Sequence, residues 1–237
     1  PDSANFGNFV FNGDAVKLII TVDSGVIPKE FLCSVFSYSA PVRKILGIQE
    51  IVISEGITSI SNYAFSANDS SCHTVLKKIS LPSTLTSIGS YAFNNCKGLT
   101  ELVIPKGVTS IGSNAFQGCT GLTSVMINDG LISISSYAFC GCTNLTRVTI
   151  PDSVTSIGDY AFADCTKLAS DITLKNVATI GINAFYNCKA LPKVEMLSRG
   201  VQIGDNAFFN CISLETTTVP DSANFGNFVF NGDAVKL

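Results

Sequence analysis

Cysteine is the residue whose spacing in this chain most invites chemistry. Cys96, Cys119, Cys142, Cys165, Cys188 and Cys211 recur at intervals of 23 residues. Residues in register on neighbouring strands lie about 4.8 Å apart, inside the span that a disulfide bridges. Parallel Cβ vectors nonetheless suit the disulfide dihedral poorly, and an unoxidised cysteine is a good small core residue. The chain has no Cys-x-x-Cys pair, the spacing that a zinc site would use. The six are therefore read as a ladder of reduced, buried thiols, with no metal and no cofactor. Two further cysteines are candidate exposed thiols: Cys140, which breaks phase beside Cys142, and Cys72, which adjoins His73 in an inserted loop. That histidine is the only one in the chain and tryptophan is absent, which leaves little for histidine-based triads or metal sites. The pattern repeats no convergent acid, base and nucleophile. It reads as a protein that is not an enzyme and takes no small-molecule substrate.

The cysteines belong to a longer pattern. Leu-x-x-φ-x-φ-Pro-x-x-Val-Thr-Ser-Ile-Gly-x-x-Ala-Phe-x-x-Cys, with φ apolar, returns every 23 residues, and Phe93, Phe116, Phe139, Phe162, Phe185 and Phe208 share one phase. A fixed short period is the signature of a solenoid, whose units bury their apolar faces only against their neighbours. In Leu99–Pro105 the residues Leu102 and Ile104 alternate with Glu101 and Val103, the period of a strand with one buried face. Pro105 marks its end, because proline cannot donate to a ladder. Val108–Ile111 reads as a second short extended piece with Val108 and Ile111 inward, and Gly112 allows a sharp bend after it. Ser90, Ser113, Asp159 and Asp205 stand where the N-cap of one helical turn would be, a turn carrying Ala115, Phe116 and Cys119. The predicted fold is a β-rich α/β repeat: a solenoid of 23-residue coils with parallel strands and short helical turns.

Spacing divides the chain. Residues 76–219 hold regular repeats, whereas 1–75 hold irregular ones, with landmarks at Phe11, Phe36 and Phe65 and inserted loops over Ser37–Gly47 and Ser66–Val75. Strands after these loops would carry Ile48, Ile51 and Ile53, then Leu76, Ile79 and Leu81. In the repeat from Leu168, Ile172 and Leu174 take the inward places one residue late, which predicts a bulge. Leu197 stands where proline is usual. Pro1–Leu18 is identical to Pro220–Leu237, so residues 1–237 read as one solenoid that closes a period of 219 residues and begins the next. Either the parent protein concatenates this unit or the ends were made to match. Pro1 in place of methionine points to a fragment of a longer chain.

Composition narrows the function classes. Charged residues make up 14% of the chain, against about 25% in an average globular protein. A densely apolar repeat interior accounts for that. No run approaches the roughly 18 apolar residues of a spanning helix, so no membrane insertion is expected. A net charge of −3 argues against nucleic acid as a partner.

The motif Ile-Pro-x-x-Val-Thr-Ser-Ile-Gly-x-x-Ala-Phe-x-x-Cys, at Ile104–Cys119 and Ile150–Cys165, resembles the BspA-type leucine-rich repeat family of bacterial and protozoan surface proteins. The likeness covers nearly the whole chain and is strongest from Leu76 to Val219. Gly107 and Ser153 stand where the commoner leucine-rich consensus has an asparagine. The resemblance implies a curved, right-handed leucine-rich-repeat solenoid, secreted or anchored at a cell surface, that adheres to host or neighbouring-cell proteins. It implies no catalytic residue.

Strand residues that alternate outward would line the concave face. The candidates for partner binding there are Glu101, Val103, Met126, Arg147, Thr149, Lys193 and Glu195, on a threonine-rich surface of mixed charge without aromatic anchors. Arg43 and Lys44 in one inserted loop, with Lys77 and Lys78 after the other, add a basic edge. Two functions stay open. One is a structural module of an extracellular tandem array or filament, assembling end to end with itself. The other is an adhesion module that binds a protein partner through the concave face or the inserted loops. Asn68 and Asn144 head sequons that count only in a eukaryotic secretory setting.

Overall fold

An apolar residue at every second place of a short piece, repeated at constant spacing, is buried on both sides only if successive copies stack in register. The computed structural model of the chain describes residues 16–20, 25–27, 48–66 and 76–230, and its copies stack in that way. The longer pieces form parallel strands. Val16–Ile20, Ile48–Ile53, Lys78–Ser80, Glu101–Ile104, Ser124–Ile127 and Arg147–Thr149 make one sheet, and Ile172–Leu174, Lys193–Met196 and Thr216–Thr218 make another. The shorter pieces form nine two-residue strands in one parallel sheet, from Val26–Ile27 to Asn224–Phe225. Leu102 lies beside Val125 and Ile111 beside Ile134, so like residues meet like. Leu102, Ile104, Val108 and Ile111 are all buried, as the alternation requires.

Proline removes a donor at the end of a long strand. Glu101–Ile104 ends before Pro105. Where Asn128 and Leu197 replace that proline, each N–H donates one bond further, to the carbonyls of Ile104 (3.2 Å) and Leu174 (2.9 Å).

The third side of the coil corrects the expectation of a short helical turn, since the described residues contain no helix. Its N–H groups point alternately in two directions. Ala92, Asn94 and Cys96 donate to the carbonyls of Gly89, Tyr91 and Phe93 in the same coil, whereas Tyr91, Phe93 and Asn95 donate to Ser113, Ala115 and Gln117 in the next. A helix would send every N–H back along its own chain and leave the neighbouring coil unbonded. The alternation places left-handed residues at the third position of two turns, and Tyr91 (φ 57°) and Asn95 (φ 59°) supply them. The residues read as N-caps work between coils instead. Asp159 Oδ1 accepts the Ile182 N–H (2.8 Å) and Asp205 Oδ1 accepts the Asn227 N–H (2.6 Å), while the Ser90 and Ser113 carbonyls accept from Tyr63 and Tyr91. Gly112 serves close approach rather than a bend, because a methyl group there would run into the Ser90 backbone.

Stacked coils place the landmark phenylalanines in a column. Phe65, Phe93, Phe116, Phe139, Phe162, Phe185, Phe208 and Phe230 follow one another with ring centroids 4.9–5.5 Å apart and planes within 13° of parallel. In the repeat from Leu168, Ile172 and Leu174 are buried one residue late, and a shortened turn before Val177 restores the period. The slip breaks the longer sheet: Arg147–Thr149 and Ile172–Leu174 do not pair, and the Val148 N–H turns to the Ser170 hydroxyl at 3.4 Å. Phe11, Cys33, Phe36, Asn68, the inserted loop Ser37–Gly47 and the second inserted loop after Ser66 lie outside the described residues.

Two substitutions test this core. Phe162→Ala should lower the unfolding free energy by about 3–5 kcal/mol. Neighbour interfaces carry much of a repeat array's stability, so amide exchange should also quicken in the coils on either side; a change confined to one coil would contradict the coupling. Thr217 fills an inward place held by Val194 one coil earlier, buried and with its hydroxyl unpartnered. Thr217→Val should raise stability by about 1 kcal/mol, read from the urea midpoint. A lower midpoint would mean that the hydroxyl is in use.

Candidate functional site

Each ladder cysteine follows its phenylalanine by three residues, which aims its thiol back at the preceding coil. Sγ donates to the carbonyl of the earlier landmark: Cys119 to Phe93 (3.2 Å), Cys142 to Phe116 (3.3 Å), Cys165 to Phe139 (3.3 Å) and Cys188 to Phe162 (3.1 Å). All six ladder cysteines are free and buried. Burial pushes the Cys96 thiol up to about 12, and those of Cys119, Cys142, Cys165 and Cys188 well above the ordinary thiol range. The thiolate is the nucleophile and the metal ligand, so the ladder is chemically quiet and serves as a row of internal donors. Cys140 is half-buried; burial, with a smaller push from Asp164, takes its thiol up to about 11. Cys72 lies outside the described residues. Among the described residues no cluster of three or more His, Cys, Asp or Glu groups is placed to hold a metal ion.

The long-strand face gathers most of the candidate partner-binding residues. Register sets Val103, Met126 and Thr149 in one row and Glu101, Ser124 and Arg147 in the next. Glu101, Arg147 and Thr149 are exposed, and Val103 and Met126, at 52% and 51%, are open to an unusual degree for their type. Beside them lies a shallow depression of about 570 Å³, lined by Glu55, Lys78, Ser83, Glu101, Val103 and Lys106 among others. Beside it Lys78–Ser80 pairs with Glu101–Ile104 through Lys78 and Glu101. Sequence reasoning missed Glu55 and Lys106, which sit in turns after strands and carry no periodic signal. The Glu55 carboxylate accepts from the Ser83 N–H (3.0 Å), the Ser83 hydroxyl (2.9 Å) and the Thr84 N–H (3.2 Å), and these bonds, the Ser83 backbone first, hold it below the usual carboxylate range.

Lys193 and Glu195 do not join this group. They stand on the second long-strand sheet, half-buried and paired with each other at 2.6 Å, a contact that lowers the Glu195 carboxyl and raises the Lys193 ammonium. Lys77 and Lys78 are exposed at the near edge, with Lys78 3.7 Å from Glu50; Arg43 and Lys44 lie outside the described residues. Asn144 is a poor glycan acceptor. Its Nδ2 donates to the Thr120 carbonyl (2.6 Å) and its Oδ1 accepts from Lys167 (2.8 Å). The whole face offers apolar surface and mixed charge.

Parallel coils around a column of like residues define a leucine-rich-repeat solenoid. The sequence matches the family described as the BspA type leucine rich repeat region, in six copies, over residues 43–169 and 169–236. The chain belongs to the BspA-type leucine-rich repeat family. Among solved structures it is similar to a leucine rich repeat protein of T. pallidum, at 23% identity over 98% of this chain and 88% of that one, with a TM-score of 0.59; this likeness shows the fold. It is also similar to a leucine rich cell surface protein of Faecalibacterium prausnitzii, at 26% identity over 82% of this chain, with a TM-score of 0.45. The match spans 63% of the length of that protein. A leucine-rich repeat protein of Bacteroides ovatus matches at 22% identity over 99% of this chain and 80% of its own, with a TM-score of 0.46. No curated protein matches the sequence. Among the described residues no helix is long and apolar enough to cross a membrane.

Alkylation tests the thiol assignments. Iodoacetamide under native conditions should modify Cys140 ahead of any ladder cysteine. Its raised thiol keeps the reactive thiolate scarce at neutral pH, so the rate should climb about tenfold per pH unit until pH nears its own value. Fast labelling of Cys119 or Cys165 at pH 7 would contradict their inward placing.

Proposed function

We propose that the chain is a non-enzymatic structural module of a secreted or cell-surface tandem array, a right-handed solenoid lengthened by stringing units together. One observation carries the reading: Pro1–Leu18 and Pro220–Leu237 are identical, so the chain ends at the phase at which it began. The irregular residues 1–75 and the regular residues 76–219 then form one unit, and 220–237 open the next. In an array Leu237 leads into a copy of Ile19–Ile20, the residues that complete the strand Val16–Ile20. The unbroken short-strand sheet supports this, because a ladder with its N–H groups along one axis gives reach and stiffness rather than a pocket. Native assemblies seen by electron microscopy should be fibres with an axial repeat of about 40–50 Å, nine coils at about 4.8 Å each. Compact particles without a repeat, from a parent gene holding the unit once, would refute the array.

Open apolar contact on the long-strand face favours a second role for the same module, adhesion to a protein partner. Val103 and Met126 supply the apolar centre, Glu101, Arg147 and Thr149 its polar rim, and Lys77 and Lys78 a basic edge. On this reading the partner is a protein at the surface of a host or neighbouring cell, not a nucleic acid or a bilayer. The double substitution Val103→Glu, Met126→Glu alters exposed side chains and should leave the melting temperature unchanged. It should weaken attachment to target cells at least about tenfold. Unchanged attachment would exclude this face.

A further inference from the structure

On the third side of the coil a row of tyrosines is interrupted once. Tyr63, Tyr91, Asn114, Tyr137 and Tyr160 hold the same place on successive coils, for the N–H of each of the first four donates to the carbonyl just before that place in the next coil. All five are left-handed, with φ between 56° and 61°. Tyr63 stacks on Tyr91 at 4.8 Å and Tyr137 on Tyr160 at 4.7 Å, with planes within 5° of parallel. Asn114 stands between the two pairs. Tyr91 and Tyr137 are therefore two coils apart, about 10 Å at the spacing of hydrogen-bonded strands. That gap has room for one ring at the distance the pairs themselves keep. Asn114 is too short to fill it, and its carboxamide is engaged elsewhere: Nδ2 donates to Gln117 Oε1 (2.8 Å), which also accepts from Asn94 Nδ2 (3.2 Å). The choice of residue points the same way. Asparagine suits a left-handed place and fills it at Asn183 and Asn206, whereas tyrosine is strained there. Each pair spends one ring face on its partner, and the second faces of Tyr91 and Tyr137 border the gap.

We propose that the gap between Tyr91 and Tyr137 is a binding slot for one aromatic ring, the tyrosine side chain of a partner protein. The ring enters edge first and stacks on both walls, which continues the row from Tyr63 to Tyr160 without a break. Asn114 forms the floor. Its Nδ2 is taken by Gln117, so its Oδ1 is the atom left to accept the proton of an incoming phenol. An aliphatic side chain would gain no stacking, and a puckered sugar ring is thicker than the flat ring for which the coil spacing leaves room. The slot lies on the third side of the coil, so the inference rests neither on the array nor on the face at Val103 and Met126.

Saturation-transfer NMR on the full chain tests the slot, with p-cresol, the tyrosine side chain alone, as the probe. Transfer to the ring protons of p-cresol is expected. N-acetyl-tyrosinamide should bind at least as tightly, because its main chain stays outside; a chain that takes p-cresol and rejects the amide would hold a free phenol and not a partner's tyrosine. Tyr137→Asn removes one wall and installs the residue that the same turn carries at Asn183, so the chain should stay folded and the Kd should rise about tenfold. Asn114→Tyr fills the slot from within and should abolish the transfer. The double substitution Val103→Glu, Met126→Glu should leave it unchanged. No transfer to p-cresol, tighter binding of methyl glucoside than of p-cresol, transfer that survives Asn114→Tyr, or transfer lost with the Val103 and Met126 pair overturns the slot.

Discussion

The stacking of phenylalanine rings sets the dimension to which the other parts conform. Offset parallel rings pack about 5 Å apart, and hydrogen-bonded strands lie about 4.7–4.9 Å apart, so one axial rise satisfies both. A coil of another length would bring its ring to the wrong height or its strands out of register, which is why insertions fall in loops and the period survives even the slip at Ile172. The ring's backbone ties two coils together. The Phe116 N–H donates to Ala138 in the next coil (2.8 Å), and its carbonyl accepts both the Cys119 N–H (3.3 Å) and the Cys142 thiol (3.3 Å). A carbonyl has two lone pairs, and the second would be buried without a partner if leucine replaced cysteine. Cysteine is apolar enough to bury freely and still offers a weak donor.

The turn beside the column carries a strain that the stack offsets. A left-handed conformation costs a residue with a side chain about 1–2 kcal/mol. Asn95, Gly118, Asp164 and Asn187 bear it cheaply, as residues of their types do. Tyr63, Tyr91, Tyr137 and Tyr160 do not, yet they hold φ between 56° and 60°. Their rings stack across coils, Tyr63 on Tyr91 at 4.8 Å and Tyr137 on Tyr160 at 4.7 Å. Such a contact contributes about 0.5–1.5 kcal/mol beyond area burial, enough to offset much of the strain in one partner.

Strand faces were legible in the alternation of Leu102 and Ile104 with Glu101 and Val103, and thiol burial in the shared phase of Cys119 and Phe116. The third side was not, because Ala115 and Cys119 at a spacing of four mimic a helical stripe. The contrary signal was present in Asn95, Gly118, Gly141, Asp164, Asn187 and Asn210, one such residue per coil at the same phase, a composition that helices avoid and left-handed turns favour. Periodicity was silent on the depression beside Val103. It lies where two coils differ, at the short pairing of Lys78–Ser80, and a repeat pattern records what coils share.

The same distinction governs where this solenoid can bind. The interior is common to all coils, so variation reaches only the faces, and there it is graded by how each coil departs from the rule. The one-residue slip before Ile172 divides the long-strand face, with the row Val103, Met126 and Thr149 on one side and Lys193 and Glu195 on the other. Beyond the break those two charges are spent on each other at 2.6 Å, and a partner would gain little by separating them. Before the break, Arg147 and Glu101 flank apolar side chains that face water. The short-strand ladder has no such break. On the function proposed above, a partner is selected on the long-strand face while the array is extended along the short-strand ladder.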